Sequence, residues 1–302
     1  MKIALRKIVC IILAITIYAL LSVVCATTSS AKDSKKPESK LIQIETRPGI
    51  KQKFILIKPD NPVASIILLP GNNGRLELSG LFGSISIGWL DKDFLVRNRG
   101  SFANDGLMVA VMDAPSDKQS GGRDVLGGVN VITQGKEMFR MSDEHAQDII
   151  AVAAHLKKMA GIPVWLVGTS MGTISATNAC IRSKGVIDGL VLTASKTQTT
   201  PEWGSIYKSH PNAIIDMELQ KILTPTLIVH HKEDDCDSSL PEFVPKIKEG
   251  LTNAAKTEVA FFSGGKPTST GCRPLTAHAF YGIDQDVVRT ITSFILSNLK
   301  SN

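Results

Sequence analysis

The sequence lacks the residue pairs from which most metal sites are built. Its 302 residues contain no Cys-x-x-Cys and no His-x-x-x-His. The adjacent His230 and His231 would point to opposite sides of a strand. Aromatic residues make up only 5% of the chain and do not cluster with basic ones, as they do in many nucleic-acid binders. We therefore expect no metal, no cofactor and no nucleic-acid partner.

Acidic residues are missing from the first 26 residues, where three basic residues precede an uncharged apolar run over 8–24. A basic start, an apolar stretch and small residues after it are typical of a secretory signal peptide. We predict a signal peptide over residues 1–26, cleaved after Ala26, with cleavage after Ala31 as the alternative. Its removal lowers the formal net charge from +6 to +3, because this segment holds three basic residues and no acid.

Two other interpretations of the N-terminal segment stay open. The apolar run is about long enough to span a bilayer, so an uncleaved membrane anchor is one alternative. Lipid attachment at Cys25 is the other, although the bulky Val24 stands where a small residue is expected. Each interpretation places the rest of the chain outside the cytoplasm, in the periplasm or secreted, with any membrane contact made through this segment.

One domain is predicted over residues 41–302, after a polar linker at 27–40 that cannot fold alone. Short apolar runs alternate with helical patterns in this domain, which indicates an α/β fold with a mostly parallel central sheet and helices on both faces. The predicted strands are nearly all apolar, as in strands buried on both faces, and they cover 65–69, 107–112, 164–167, 189–193, 226–229 and 257–262.

Two helices have clear signals in the sequence. Ser142 is a candidate N-cap, followed by acidic residues and then by apolar residues at helical spacing, up to the stop at Gly161. The final helix shows one apolar stripe from Val287 to Leu299. The long connections 114–141 and 196–222 are candidates for covering a substrate site, with plain surface excursions as the alternative.

A Gly-x-Ser-x-Gly match centres on Ser170, between a predicted buried strand and a predicted helix. A sharp turn in this context exposes the serine at the helix N-terminus, where backbone N–H groups and the helix dipole favour negative charge. The flanking Gly168 and Gly172 remove side chains that would collide with the strand and the helix. We predict that Ser170 is a nucleophile, and a turn serine without chemistry is the alternative.

A serine nucleophile needs a base and an acid. The histidine is expected after the last strand, and His278 is the histidine found there. The acid fixes the tautomer of the base and stabilises the imidazolium. The loop after strand 226–229 offers two neighbouring candidates, of which we choose Asp234, with Asp235 second.

An oxyanion hole needs two backbone N–H donors aimed at the developing charge. Met171, directly after the nucleophile, is the first predicted donor. The second should come from the loop Pro-Gly-Asn-Asn-Gly at 70–74, whose glycines let the backbone approach a ligand closely. We favour Asn72, with Asn73 as the alternative.

These motifs resemble those of the α/β-hydrolase superfamily over residues 41–300. The stretches that carry the resemblance are LLPGNNG, GTSMG, PTLIVHHKEDDC and TAHAFYGID. More narrowly, the chain resembles exported bacterial α/β-hydrolases that have a cysteine shortly after the acid and a Gly-Cys before the histidine. The resemblance implies a triad of Ser170, Asp234 and His278, together with a Cys236–Cys272 disulfide. Ala279 is a departure, because many relatives have glycine after the histidine.

The function expected from these features is that of a serine hydrolase of the esterase, lipase or peptidase kind, acting on a small-molecule acyl substrate. It would cleave an ester-like bond through an acyl-enzyme on Ser170, and amide and thioester substrates stay open. A non-catalytic binding or envelope-associated module on the same fold is the alternative. The sequence fixes neither the substrate nor the oligomeric state. The candidates for shaping an apolar pocket are Trp89, Trp203, Tyr207 and Phe280.

Overall fold

The structure is a computed structural model that describes residues 37–81, 84–119 and 139–299. The predicted signal peptide and most of the 114–141 connection therefore lie outside the described residues. The described elements belong to one unit, residues 37–302. Its first strand begins at Ser39, two residues before the predicted start of the domain.

A sheet of eight strands forms the centre of the molecule. In chain order the ten strands are β1 Ser39–Arg47, β2 Ile50–Ile57, β3 Ala64–Leu69, β4 Ser79–Leu81, β5 Ser84–Ser86, β6 Leu107–Met112, β7 Val164–Thr169, β8 Gly189–Thr193, β9 Thr226–His231 and β10 Thr257–Phe262. The central sheet has the order β1-β2-β6-β3-β7-β8-β9-β10, while β4 and β5 form a separate hairpin. Of the eight strands described in this sheet, β2 alone runs opposite to the others, since it pairs antiparallel with both β1 and β6. The predicted mostly parallel sheet is confirmed, and all of its predicted strands are present.

Helices flank this sheet. Their bounds are α1 Phe94–Asn104, α2 Asp143–Ala160, α3 Met171–Arg182, α4 Ser205–Ser209, α5 Val244–Gly250 and α6 Asp284–Ser297. Helix α2 begins and ends as predicted, because the Ser142 hydroxyl accepts the His145 N–H and Gly161 closes the helix with φ 67°. Among the ranges that the structure describes, no helix has both the length and the apolar character needed to cross a membrane.

Alternate residues of the buried strands face two separate apolar layers. In β3, Ile67 and Leu69 pack in the layer that contains residues of α2 and α3, whereas Ile66 and Leu68 pack in the layer that contains residues of α1 and α6. Each layer covers one face of the sheet, so the carboxyl ends of the parallel strands remain the edge where loops can form a site. The candidate residues of the 70–74 loop and Ser170, Asp234 and His278 all follow such strand ends.

Candidate active site

Ser170 lies in the tight turn between β7 and α3. Its backbone has φ 51° and ψ −122°, a conformation that is strained for a residue with a side chain. The flanking glycines are required by packing: a Cβ on Gly172 would lie 2.0 Å from Leu69 O, and one on Gly168 would lie 2.5 Å from Gly172 O. The Ser170 N–H donates to Thr193 O at 3.0 Å. Neighbouring strands therefore fix the turn that presents Ser170 at the N-terminus of α3.

His278 and Asp234 come together from two separate loops. Asp234 follows β9, and His278 lies in the short turn Ala277–Ala279 after β10. His278 Nδ1 is 2.9 Å from Asp234 Oδ2, and both residues are buried. His278 Nε2 is also buried, has no hydrogen-bond partner among the described residues, and belongs to a ring that lines the same cavity as Ser170. The acid thus holds one imidazole nitrogen, and the other is free to take a proton from a hydroxyl group.

Asp234 is surrounded by groups that favour its ionised form. Its Oδ1 accepts the Cys236 N–H at 3.0 Å, and its Oδ2 lies 3.2 Å from His230 Nε2. That His230 nitrogen is also 2.7 Å from Ser239 O, so its N–H is shared between a carbonyl and a carboxylate oxygen. Burial of the carboxyl group raises its pKa, but the hydrogen bonds from His230 and His278 outweigh this effect and lower the pKa to about 2. Asp234 is therefore ionised at neutral pH.

Asp235, the second candidate for the acid, has a different partner. Its side chain is exposed, and its Oδ1 accepts the Gly271 N–H at 2.8 Å. This bond links the acid loop to the histidine loop through the backbone. Of the two neighbouring acids, Asp234 therefore contacts the side chain of His278, and Asp235 binds the backbone of the loop that contains His278.

A disulfide joins Cys236 to Cys272, which confirms the pairing that the resemblance implied. It connects the loop of Asp234 to the loop of His278, and Cys272 lines the cavity beside the histidine. Asp237 is close enough to both sulfur atoms for the group to suggest a metal site. The two sulfur atoms are bonded to each other, however, so they are not available as thiolate ligands.

The 70–74 loop offers one free N–H group toward the cavity. The Gly71 N–H donates to Asp93 Oδ2 at 2.9 Å, and the Asn73 N–H donates to Asn72 Oδ1 at 2.7 Å. The Asn72 N–H has no hydrogen-bond partner among the described residues, and Asn72 lines the cavity together with Ser170. Met171 opens α3, where the first N–H groups of a helix lack partners within the helix. Asn72 and Met171 are therefore the available donors, and the alternative Asn73 is already occupied.

Two charged residues that sequence reasoning missed bind the backbone of this loop. Arg140 is only 5% exposed, and its Nη2 donates to the carbonyl oxygens of Pro70, Gly71 and Asn72 at 3.0, 3.2 and 2.8 Å. Asp93 caps α1 and accepts the Gly71 N–H. Burial raises the pKa of Asp93, although its backbone hydrogen bonds oppose the rise. No motif marks either residue in the sequence, because the atoms that they bind in this loop are main-chain atoms.

A cavity of about 500 Å³ opens beside Ser170 and His278. One wall comes from the segment 88–94, which contributes apolar residues, among them the half-exposed Trp89, next to the charged Asp91, Lys92 and Asp93. Within the described part of the chain, none of the lining comes from the 196–222 connection. The other three aromatic candidates do not line the cavity, since Trp203 and Phe280 are buried in the core and Tyr207 lies elsewhere on the surface.

His145 and Cys180 are buried away from the Ser170 cavity. His145 Nε2 is 2.8 Å from Ser175 Oγ, and its pKa is lowered to about 3 by burial, with further contributions from the charges of Arg140 and Arg47. Burial raises the pKa of the Cys180 thiol to about 11. Both are therefore neutral packing residues at physiological pH.

Comparisons with known proteins agree with this fold. The family described as serine aminopeptidase, S33, matches residues 132–264, which include Ser170 and Asp234 but not His278. A dienelactone hydrolase from Anabaena variabilis is 11% identical with a TM-score of 0.56, over 88% of this chain and 100% of that one. Est1E from Butyrivibrio proteoclasticus is 14% identical with a TM-score of 0.55, over 85% and 98%. A dipeptidyl peptidase 4 from Porphyromonas gingivalis is 15% identical with a TM-score of 0.56, over 88% of this chain but 36% of that one. A comparison with curated protein sequences finds no match. At these identities the structural likeness concerns the fold.

Proposed function

We propose that this chain, which has the α/β-hydrolase fold, is a serine hydrolase that cleaves carboxylic esters through an acyl-enzyme on Ser170. One observation carries the proposal. The Nδ1 of His278 is held by the ionised Asp234, while its unpartnered Nε2 belongs to the cavity that Ser170 also lines. This is the arrangement that a base needs in order to take the proton of a serine hydroxyl group.

In the acylation step, Ser170 Oγ attacks the carbonyl carbon of the ester and its proton moves to His278 Nε2. The carbonyl oxygen becomes an oxyanion, which the N–H groups of Met171 and Asn72 stabilise by hydrogen bonds. Asp234 stabilises the imidazolium through Nδ1. When the carbon–oxygen bond to the alcohol breaks, the Nε2 proton passes to the departing oxygen, and the acyl group remains on Ser170.

Deacylation repeats these steps with water. His278 Nε2 takes a proton from the water molecule as its oxygen attacks the acyl carbon, and the same two N–H groups bind the second oxyanion. The bond to Ser170 Oγ then breaks, the proton returns to that oxygen, and the carboxylic acid leaves. In each half of the reaction, His278 Nε2 takes one proton and then gives it to the leaving oxygen, while Asp234 stays ionised. No external proton carrier is therefore required.

The cavity favours a small acyl ester with an apolar group. Its volume of about 500 Å³ is in the range of small-molecule sites, and Trp89, Leu90 and Phe94 give it an apolar wall. Several neighbours are described as esterases, which favours an ester over an amide. The dipeptidyl peptidase among the neighbours keeps peptide substrates as the second choice to be tested.

Labelling with a fluorophosphonate probe and hydrolysis of p-nitrophenyl esters of increasing acyl length test the proposal together. We expect Ser170→Ala to abolish labelling and to lower kcat by roughly 10⁴-fold or more. Asp234→Asn should lower kcat by about 10⁴-fold because the neutral amide no longer supports the imidazolium. Asp235→Asn is the matched control and should retain most of the activity. Wild-type protein that neither takes the probe nor cleaves an ester would refute the proposal.

We also propose that the domain works in an oxidising compartment outside the cytoplasm. The N-terminal pattern of residues 1–26 supports export, and a disulfide is the bond that such a compartment maintains. Cell fractionation followed by mass spectrometry of the mature protein tests both parts. The proposal requires the protein outside the cytoplasm, with Cys236 and Cys272 resistant to alkylation before reduction.

A further inference from the structure

Arg140 is a buried cation whose hydrogen bonds converge on the backbone of the 70–74 loop. Its Nη2 donates to the carbonyl oxygens of Pro70, Gly71 and Asn72 at 3.0, 3.2 and 2.8 Å. Its Nη1 donates to Ser175 Oγ at 2.6 Å. A rigid planar guanidinium group is suited to hold several acceptors in fixed directions at once. The guanidinium therefore fixes three consecutive peptide groups of one short loop.

One of these peptide groups has a special position. The carbonyl of Gly71 and the N–H of Asn72 belong to the same planar unit, in which the two groups point in opposite directions. Arg140 binds the Gly71 carbonyl, and the Asn72 N–H on the other side has no partner among the described residues. Hydrogen bonds to a cation are stronger than neutral ones, and bonds in a chain polarise one another. A cation on this carbonyl makes the N–H a better donor.

The surroundings of Arg140 are built to keep the guanidinium in this place. Asn178 Nδ2 donates to the Arg140 carbonyl oxygen at 3.1 Å. The Ser175 hydroxyl oxygen, which accepts the hydrogen bond from Nη1, is also within hydrogen-bond distance of the His145 ring. On the loop side, a Cβ on Gly74 would lie 2.8 Å from Nη2. The loop therefore needs glycine here, because any side chain would displace the guanidinium.

We propose that Arg140 is a positioning residue of the oxyanion hole, which fixes and polarises the Gly71–Asn72 peptide so that the Asn72 N–H binds the developing oxyanion. This inference rests on the proposed serine hydrolase function. Asp93 completes the arrangement, because it takes the Gly71 N–H and leaves only the next N–H group of the loop facing the cavity. Arg140 acts through the peptide and does not itself contact the substrate.

The test compares Arg140→Gln and Arg140→Lys with wild type on a p-nitrophenyl ester and on an aliphatic trifluoromethyl ketone. Ser170 Oγ adds to the carbonyl carbon of the ketone. The resulting hemiketal carries an oxyanion in the position that the oxyanion of the ester reaction occupies. We expect Arg140→Gln to lower kcat by about 10- to 100-fold, less than the loss of a direct donor, with KM within about twofold. The inhibition constant of the ketone should rise by a similar factor. Arg140→Lys keeps the positive charge but lacks the planar guanidinium group with its several N–H donors. It should therefore recover part of the loss in kcat and part of the loss in ketone affinity.

Arg99→Gln is the control, because Arg99 is a half-buried arginine of α1 that donates to a carbonyl of its own helix. It should leave kcat and the ketone affinity unchanged. A variant with lower melting temperature but unchanged kcat and ketone affinity would show that Arg140 only stabilises the fold. If Arg140→Gln does not fold, Arg140→Lys and Ser175→Ala decide, since the inference requires both to weaken ketone binding. An inactive and unlabelled wild type would instead overturn the proposed function itself.

Discussion

Replacing both cysteines of the disulfide with alanine should lower the stability of the domain by an amount that follows from the chain itself. Cys236 and Cys272 are 36 residues apart, and in the chain-entropy model closing a loop of this length stabilises the folded state by about 4 kcal/mol at 25 °C. For a domain of this size, the loss corresponds to a fall in melting temperature of roughly 8–16 °C. Cys236 is fully buried, so the change also removes some packing.

The same variant should lose activity for a separate reason. The Cys236 N–H donates to Asp234 Oδ1, and Cys272 lies in the loop that ends at His278. Without the covalent link, the bond from Gly271 to Asp235 remains as a connection between the two loops. We expect a lower kcat with a nearly unchanged KM, because the change affects the alignment of acid and base more than the cavity wall.

Chemical denaturation and ester hydrolysis measure the two effects. Wild-type protein treated with a reductant that does not affect other residues should match the double variant in both assays. Two results would refute the reasoning. One is an unfolding free energy within about 1 kcal/mol of wild type, which the chain-entropy term does not allow. The other is full activity in the reduced protein, which would show that the loops keep their positions without the bond.

Three further predictions concern the core of the site. Gly172→Ala should destabilise the fold by about 3 kcal/mol or more, because its Cβ would lie 2.0 Å from Leu69 O; a normal denaturation midpoint would contradict this. The pKa of Asp234 in the folded protein is about 2, below its value in the unfolded chain. As the pH falls from about 4 to about 2, the free energy of unfolding should therefore decrease by about 2 kcal/mol. This decrease should be absent in Asp234→Asn. Burial and the charge of Arg140 lower the pKa of His145 to about 3. The contribution of neutral His145 to the free energy of unfolding should therefore be complete above about pH 6.5, and it should fall by about 1.4 kcal/mol for each pH unit below that. His145→Gln should remove that slope, and an unchanged slope would mean that His145 is protonated without cost in the folded protein.

The central sheet was predictable because most of its strands are short, nearly all apolar runs that are buried on both faces. The runs at 107–112, 189–193 and 257–262 are strands with the same bounds in the structure. The β1–β2 hairpin was missed because the edge strand β1 mixes polar and apolar residues. In β2 the apolar run 54–57 is short and follows the polar residues 51–53, so it shows no long apolar pattern. Helix α1 was missed for a related reason: Asn98 and Gly100 are poor helix formers, and Asn98 is buried only because it meets α6.

Some residues of the candidate site could likewise be predicted from the sequence, and others could not. Ser170, Asp234 and His278 could be proposed because strand order and turn chemistry constrain them, and the structure brings Asp234 and His278 into contact. Asp234 was preferred to Asp235 from the sequence, and the structure separates the two neighbours by burial and partner, since Asp234 is buried against His278 whereas Asp235 is exposed and binds Gly271. Arg140 could not be found, because it is 70 residues from its partner Pro70 and binds backbone oxygens that any residue would supply.

Two buried acids near Ser170 have pKa values that are shifted in opposite directions. Burial is the largest effect on both carboxyl groups and raises the pKa of each. Asp234 receives hydrogen bonds from two histidines, which outweigh burial and keep it ionised, as the imidazolium requires. Asp93 receives only backbone N–H groups, so its pKa stays raised. Asp93 accepts the Gly71 N–H on the 70–74 loop, while the guanidinium of Arg140 binds the Gly71 carbonyl oxygen of the same loop. The cation of Arg140 therefore offsets the acid that anchors the loop, so that the Asn72 N–H of the proposed oxyanion hole lies near a positive charge.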